Sequence, residues 1–196
     1  MYNAKASGKS RLVVFQPHMQ EQLHDRLRLE QDIDLALARK EFFLEFQPVV
    51  DLNRRELLGV EALLRWRHPQ RGIVNPDEFI RVAEETGLIL PMGEVVLREA
   101  CRQARLWREK GHPGLVVSVN LSGRQFLSGD LVASVEAILD ETGLPGNALQ
   151  LEITESVAMN DLAYSGRVLS SLDWLGIQIS LDDFGNGYSS FGYLNR

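Results

Sequence analysis

A single cysteine, Cys101, is all that 196 residues contain. That excludes an internal disulfide and fits a reducing compartment. Histidine is scarce as well. His18, His24, His68 and His112 stand at no spacing used by a metal site. Basic charge is not in excess: 21 Lys and Arg against 27 Asp and Glu leave a net charge of −6. This argues against a general DNA or RNA binder, which shows a basic footprint. A small anionic nucleotide stays possible, because bound metal ions invert local charge. No apolar run approaches the roughly 18 residues of a membrane span, and no secretory leader is read. The expectation is a cytoplasmic chain, with any membrane tether of a parent protein lying outside it. At 44% hydrophobic and 24% charged residues, the composition is that of an ordinary globular protein. The length suffices for one domain with a sizeable core.

What the chain does have is a run of strands with one polar face. In Val60-Glu61-Ala62-Leu63-Leu64-Arg65-Trp66, alternation puts Gly59, Glu61, Leu63 and Arg65 on one side. Val60, Ala62, Leu64 and Trp66 take the other, wholly apolar, side. A charge in a core strand is costly unless paired or bound to metal. Two readings are open here, a structural Glu61–Arg65 pair or a ligand site. Three later strands bear on the choice. Residues 116–121 carry Asn120. Residues 149–155 put Gln150, Glu152 and Thr154 on one face. Residues 177–183 put Gln178, Ser180 and Asp182 on one face. Glu61, Asn120, Glu152 and Asp182 are 59, 32 and 30 residues apart by position number. A βαβ unit takes roughly 30 residues or more, so the last two gaps hold one unit each and the first about two. Strands alternating with helices predict a parallel sheet. Polar residues at the C-terminal ends of such strands are where α/β barrels keep active sites. Three carboxylates and an amide together repel unless a cation joins them, and hard oxygen donors suit magnesium, manganese or calcium.

Four motifs in order carry a resemblance. They are Glu61-Ala62-Leu63-Leu64-Arg65, Val119-Asn120-Leu121-Ser122, Leu151-Glu152-Ile153-Thr154-Glu155 and Asp182-Asp183-Phe184-Gly185. From about Phe43 to Arg196 the chain resembles EAL domains, cyclic di-GMP phosphodiesterases built on a (β/α)8 TIM-type barrel. The resemblance implies a first strand antiparallel to the second, and the turn Asp51-Leu52-Asn53-Arg54-Arg55 is placed to reverse the chain there. It implies that Glu61, Asn120, Glu152 and Asp182 hold one divalent ion, Mg2+ or Mn2+. Asp183 shares or holds a second ion, or else caps its loop. Arg65 meets a phosphate, and Gln47 lies near guanine. The implied reaction opens cyclic di-GMP to linear pGpG. The loop after Asp183 couples site and homodimer in the family. Here it carries Asn186 where Thr is common, and Phe191 where Leu is common.

The remaining segments complete the expectation. Residues 1–16 read as a helix end, a turn and the short strand Leu12-Val13-Val14-Phe15. This is similar to the C-terminal edge of a GGDEF (diguanylate cyclase) domain; a basic disordered tail is the alternative. No Gly-Gly-Asp/Glu-Glu-Phe motif is present, so nothing here makes cyclic di-GMP. Residues 17–41 form a connecting helix with Leu23, Leu27, Ile33, Leu35 and Leu37 as a partial stripe. Residues 42–196 form the N-terminal part of the EAL domain. Its helices are expected from Pro76, capped by Asn75, to Gly87, from about Gly93 to Lys110, from about Gly129 to Glu141, and from near Asn160-Asp161 to Gly176. Trp107 and Trp174 are expected in the core, and Glu155 on an outer strand face, bracing a loop. A (β/α)8 barrel takes roughly 250 residues, and 178 run from Met19 to Arg196. About five of eight strands are legible. In the family, the later strands bring a catalytic Lys and further acidic residues. The expectation is therefore a domain inactive alone, or a module that binds cyclic di-GMP or a partner without cleaving it.

Overall fold

The computed structural model of the chain describes residues 17–182, with side chains from His24 onward. Residues 1–16, with the GGDEF-like edge, and Asp183 with its loop lie outside the described residues.

Helix α1 (Pro17–Arg39) ends where Lys40 takes a left-handed φ of 56°. It docks through Ile33 and Ala36, with Leu29 and Leu37 beside them. The expected stripe is therefore corrected, since Leu27 and Leu35 are 48% and 46% exposed. The docked residues recur at spacings of three and four, and that narrower face is the one that meets the domain. Strand β1 (Phe42–Asp51) pairs antiparallel with β2 (Glu56–His68), as expected. The turn between them is held by Asp51 Oδ1, which accepts from the backbone N–H of Asn53 and of Arg54. Strand β2 runs on past Trp66 and folds back on a short β3 (Gly72–Val74). The turn forms around His68, whose Nδ1 accepts from the backbone N–H of Gln70 and Arg71.

Helix α2 (Pro76–Thr86) follows local chemistry. Asn75 caps it by accepting from Asp77 N–H, Pro76 opens it, and Gly87 closes it at φ 90°. Helix α3 (Ile89–Glu109) begins four residues before the expected Gly93. Gly93 is interior, and a Cβ there would stand 1.7 Å from Gln125 Nε2. The glycine admits a neighbouring side chain rather than starting the helix. Strand β4 (Val116–Asn120) is followed by a one-turn α4 (Gly123–Phe126) and by α5 (Leu131–Thr142). A 3-10 turn at Gly146–Ala148 leads into β5 (Leu149–Thr154). Then come α6 (Glu155–Asn160), α7 (Leu162–Trp174) and β6 (Gln178–Asp182). Glu155 opens α6 and is buried, rather than standing on an outer strand face.

Among the described residues the sheet runs β1-β2-β4-β5-β6, with β3 hung on β2. Strands β2, β4, β5 and β6 are parallel. Pro48, which cannot donate to a ladder, lies on β1 at the end of that path. Val60, Ala62, Val117, Val119, Leu151 and Ile153 pack one sheet face against α3, α5 and α7. A second core joins α1, Phe42, Trp66, Phe79 and Met92, and Leu64 touches both. Trp107 packs edge-on to Phe46 at 4.8 Å between ring centroids. Trp174 is 86% exposed, a correction to its expected burial. It is the last residue of α7, where the helix rim leaves the core behind.

Cys101 is fully buried in α3, and burial pushes its thiol from 9.0 up to about 12. The folded chain thus holds this proton more tightly than the unfolded one. That contribution is intact below about pH 9 and is lost as pH rises toward 12. Iodoacetamide at about pH 8 is expected to label Cys101 only after denaturation, because the thiolate is the nucleophile. Prompt labelling of the native protein, read by mass spectrometry, would contradict this burial.

Candidate active site

Register sets the site. Gln47 lies directly opposite Glu61 across the β1–β2 ladder, so the two share a face. Between parallel strands Glu61 is level with Ser118, Asn120 with Glu152, Glu152 with Ser180, and Thr154 with Asp182. The four predicted oxygen donors therefore share one face but climb along it. Asn120 and Glu152 stand one pleat repeat, about 6.6 Å, above Glu61. Asp182 stands one repeat higher again. Such a climb is what tilted strands of a curving sheet produce.

One step between the donors is bridged by an amide, and a second amide holds Glu152 from within its own strand. Asn120 Nδ2 donates to Glu61 Oε1 at 2.8 Å, and Gln150 Nε2 donates to Glu152 Oε1 at 3.1 Å. Asp182 is exposed at the strand end and has a polar partner of its own. Among the described residues no three carboxylate, imidazole or thiol groups converge as a metal-holding cluster. Like charges on successive steps of the climb are kept apart by the register. The donor chemistry still fits a hard divalent cation. The four predicted donors offer oxygens of carboxylates and an amide, and the strands bring them to one side.

Arg65 does not pair with Glu61. Its Nε donates to Glu45 Oε2 at 2.8 Å and its Nη1 to the Leu64 carbonyl at 2.9 Å. The structural reading of a Glu61–Arg65 pair is thereby corrected. The two lie two pleats apart on β2, whereas Glu45 reaches Arg65 from the neighbouring strand. Glu61 is left to Asn120, and Arg65 is braced at the rim with its plane fixed by a carboxylate. A cavity of about 170 Å3 opens beside Arg65 and Asn120, floored by Met92, Gly93 and Gln125.

Sequence reasoning missed the support beneath this cavity. Ser122 Oγ accepts from Gln125 N–H, and Gln125 Oε1 accepts from Ser122 N–H, a reciprocal cap on α4. The Ser-x-x-Gln spacing was the available signal. Gln150 and Glu152 share a strand face in the sequence, but no pattern there predicts the bond between them.

The chain is 45% identical over 196 residues to the bifunctional diguanylate cyclase/cyclic di-GMP phosphodiesterase MucR of Pseudomonas aeruginosa, covering all of this chain and 29% of MucR. It is 36% identical to the cyclic di-GMP phosphodiesterase PdeR of Escherichia coli, again over the whole chain and 29% of the relative. The chain thus spans less than a third of the length of these two curated relatives. Among solved structures it matches the PaMucR phosphodiesterase in complex with c-di-GMP at a TM-score of 0.82 and 48% identity, covering 85% of this chain and 68% of that one. It matches the EAL enzyme Bd1971, bound to cAMP and cyclic di-GMP, at a TM-score of 0.80 and 34% identity, covering 88% and 48%. EAL domains have a TIM-barrel-like fold, and the arc from antiparallel β1 to parallel β6 is part of such a barrel. The EAL domain family matches residues 30–196, and this chain belongs to it.

Proposed function

We propose that this chain is the metal- and substrate-holding part of a cyclic di-GMP phosphodiesterase that opens one phosphodiester to give linear pGpG. One observation carries the reading: Glu61, Asn120, Glu152 and Asp182 share a face of four adjacent parallel strands. Relatives named as cyclic di-GMP phosphodiesterases support it. Glu61, Asn120, Glu152 and Asp182 would hold one Mg2+ or Mn2+ ion, and Asp182 with Asp183 a second. When bound, such ions supply a water nucleophile at neutral pH and stabilise charge on the phosphoryl oxygens. The chain's own groups bind and orient. Arg65, braced by Glu45, presents a guanidinium to a phosphate. Gln47, opposite Glu61, offers an amide to a guanine edge. Asn120 and Gln150 hold the two carboxylates in place. The loop after Asp183 as a homodimer contact, and an upstream GGDEF domain as a partner, are part of the same proposal. No helix among the described residues is long and apolar enough to cross a membrane.

The test is incubation of residues 1–196 with cyclic di-GMP and Mn2+, read by chromatography for pGpG and by calorimetry for binding. Product supports the phosphodiesterase reading. Binding without product supports a module that holds the nucleotide and needs further strands to cleave it. Neither binding nor product defeats the proposal.

A further inference from the structure

The rim of the polar face carries a feature that the metal and phosphate assignments leave unused. Arg67 stands one pleat repeat beyond Arg65 on β2, on the same side as Glu61 and Arg65. Its guanidinium carbon lies 4.6 Å from the centroid of the Phe43 ring, over its face. Phe43 sits opposite Arg65 on β1, so it also belongs to this side. The backbone there is fixed: Arg67 N–H donates to the Glu41 carbonyl at 3.0 Å, and Trp66 Nε1 donates to Glu41 Oε2 at 3.0 Å. Arg67 is exposed, and among the described residues its guanidinium has no carboxylate partner. Arg65, by contrast, is committed to Glu45 and to the Leu64 carbonyl.

A guanidinium held over an aromatic ring offers a planar, weakly hydrated surface, and Arg67 is exposed. Nucleobases stack on such planes as well as on aromatic rings. Along the strand the backbone of Arg67 is one repeat, about 6.6 Å, from that of Arg65, whose guanidinium is assigned to phosphate. A purine joined through its sugar to a phosphate at Arg65 has the reach to meet a neighbouring residue of the same strand face, and Arg67 is that residue. We propose that Arg67, held over the ring of Phe43, is a stacking platform for one purine base of the substrate. This inference rests on the proposed function, since it needs a nucleotide whose phosphate meets Arg65.

The experiment measures binding of cyclic di-GMP, and of cyclic di-UMP as a weakly stacking control, by calorimetry with Mn2+. The proteins are the unchanged chain, Arg67→Ala, Arg67→Lys and Phe43→Ala, each checked by thermal melting. Alanine replacement of a stacking group typically weakens binding by about tenfold. Arg67→Ala and Phe43→Ala are expected to lose about tenfold for the purine ligand and little for the pyrimidine one. Arg67→Lys should not rescue, because it keeps the charge and loses the plane. Equal loss for both ligands, or full rescue by lysine, would make Arg67 a simple charge and overturn the platform. An unchanged purine affinity in Arg67→Ala overturns it too, while leaving the proposed function standing. Failure of the unchanged chain to bind either ligand defeats the proposed function and this inference together.

Discussion

Glu61→Ala is expected to abolish binding of Mg2+ or Mn2+, with Asn120→Ala and Asp182→Ala close behind. The substitution removes the carboxylate at the foot of the climbing donor stripe. It also strips Asn120 Nδ2 of its acceptor, so the amide loses its fixed orientation. The loss of an outer partner of a metal ligand costs about 10–100-fold in affinity. Losing a ligand together with the orientation of its neighbour should exceed that. Competition with a Mn2+ paramagnetic signal, or calorimetry, reads the change directly. Glu61→Gln is the informative companion. It keeps the shape and an oxygen for Asn120 but removes the charge, so it should lose the metal while retaining the melting temperature. Unchanged metal affinity in Glu61→Ala would sink the assignment of this face as the ion site.

Trp66→Ala is expected to produce the largest loss of stability. Trp66 is fully buried and meets the rings of Phe42 and Phe79, each at 5.5 Å between centroids, and the His68 ring at 5.1 Å. Its Nε1 donates to Glu41. Truncating a buried Trp to Ala typically costs about 3–5 kcal/mol, out of a total near 5–15 kcal/mol. For a domain of this size that is a fall in Tm of roughly 6–20 °C. The damage should concentrate where α1 docks, because Trp66, Ile33 and Ala36 belong to the same small core. Hydrogen exchange is expected to accelerate first in residues 29–39 and only later in β4 and β5, which belong to the other core. A loss below about 1 kcal/mol, or uniform exchange across both cores, would show that Trp66 is not the keystone of this contact.

The same residues show what was legible from sequence and why. Alternation along residues 59–66 separated Glu61 and Arg65 from Val60, Ala62 and Trp66. That division holds, because a pleat fixes side-chain direction within one strand. Asn75, Pro76, Gly87 and Gly143 marked helix ends correctly, since capping satisfies backbone groups within one turn. The antiparallel β1–β2 hairpin followed from its turn and from the family resemblance. These are local properties, and a chain carries them before it folds.

Tertiary structure alone decided the rest. Which donors stand level was set by pairing between strands about 30 or more residues apart. Register is a property of two strands and is written in neither. Arg65 took Glu45 rather than Glu61 because the adjacent strand brought a carboxylate closer than its own strand could. Gly93 reads as a helix start, yet it lies inside α3, where Gln125, distant in sequence, occupies the space of its missing Cβ. Periodicity places Trp174 in the core, but a helix stripe is buried only as far as a neighbouring element covers it, and the end of α7 extends past that cover. The sequence by itself determined strand faces, helix caps and the oxygen chemistry of the candidate site. The tertiary structure decided how those oxygens are levelled and which charge each one meets, because such contacts depend on packing between segments that no local pattern encodes.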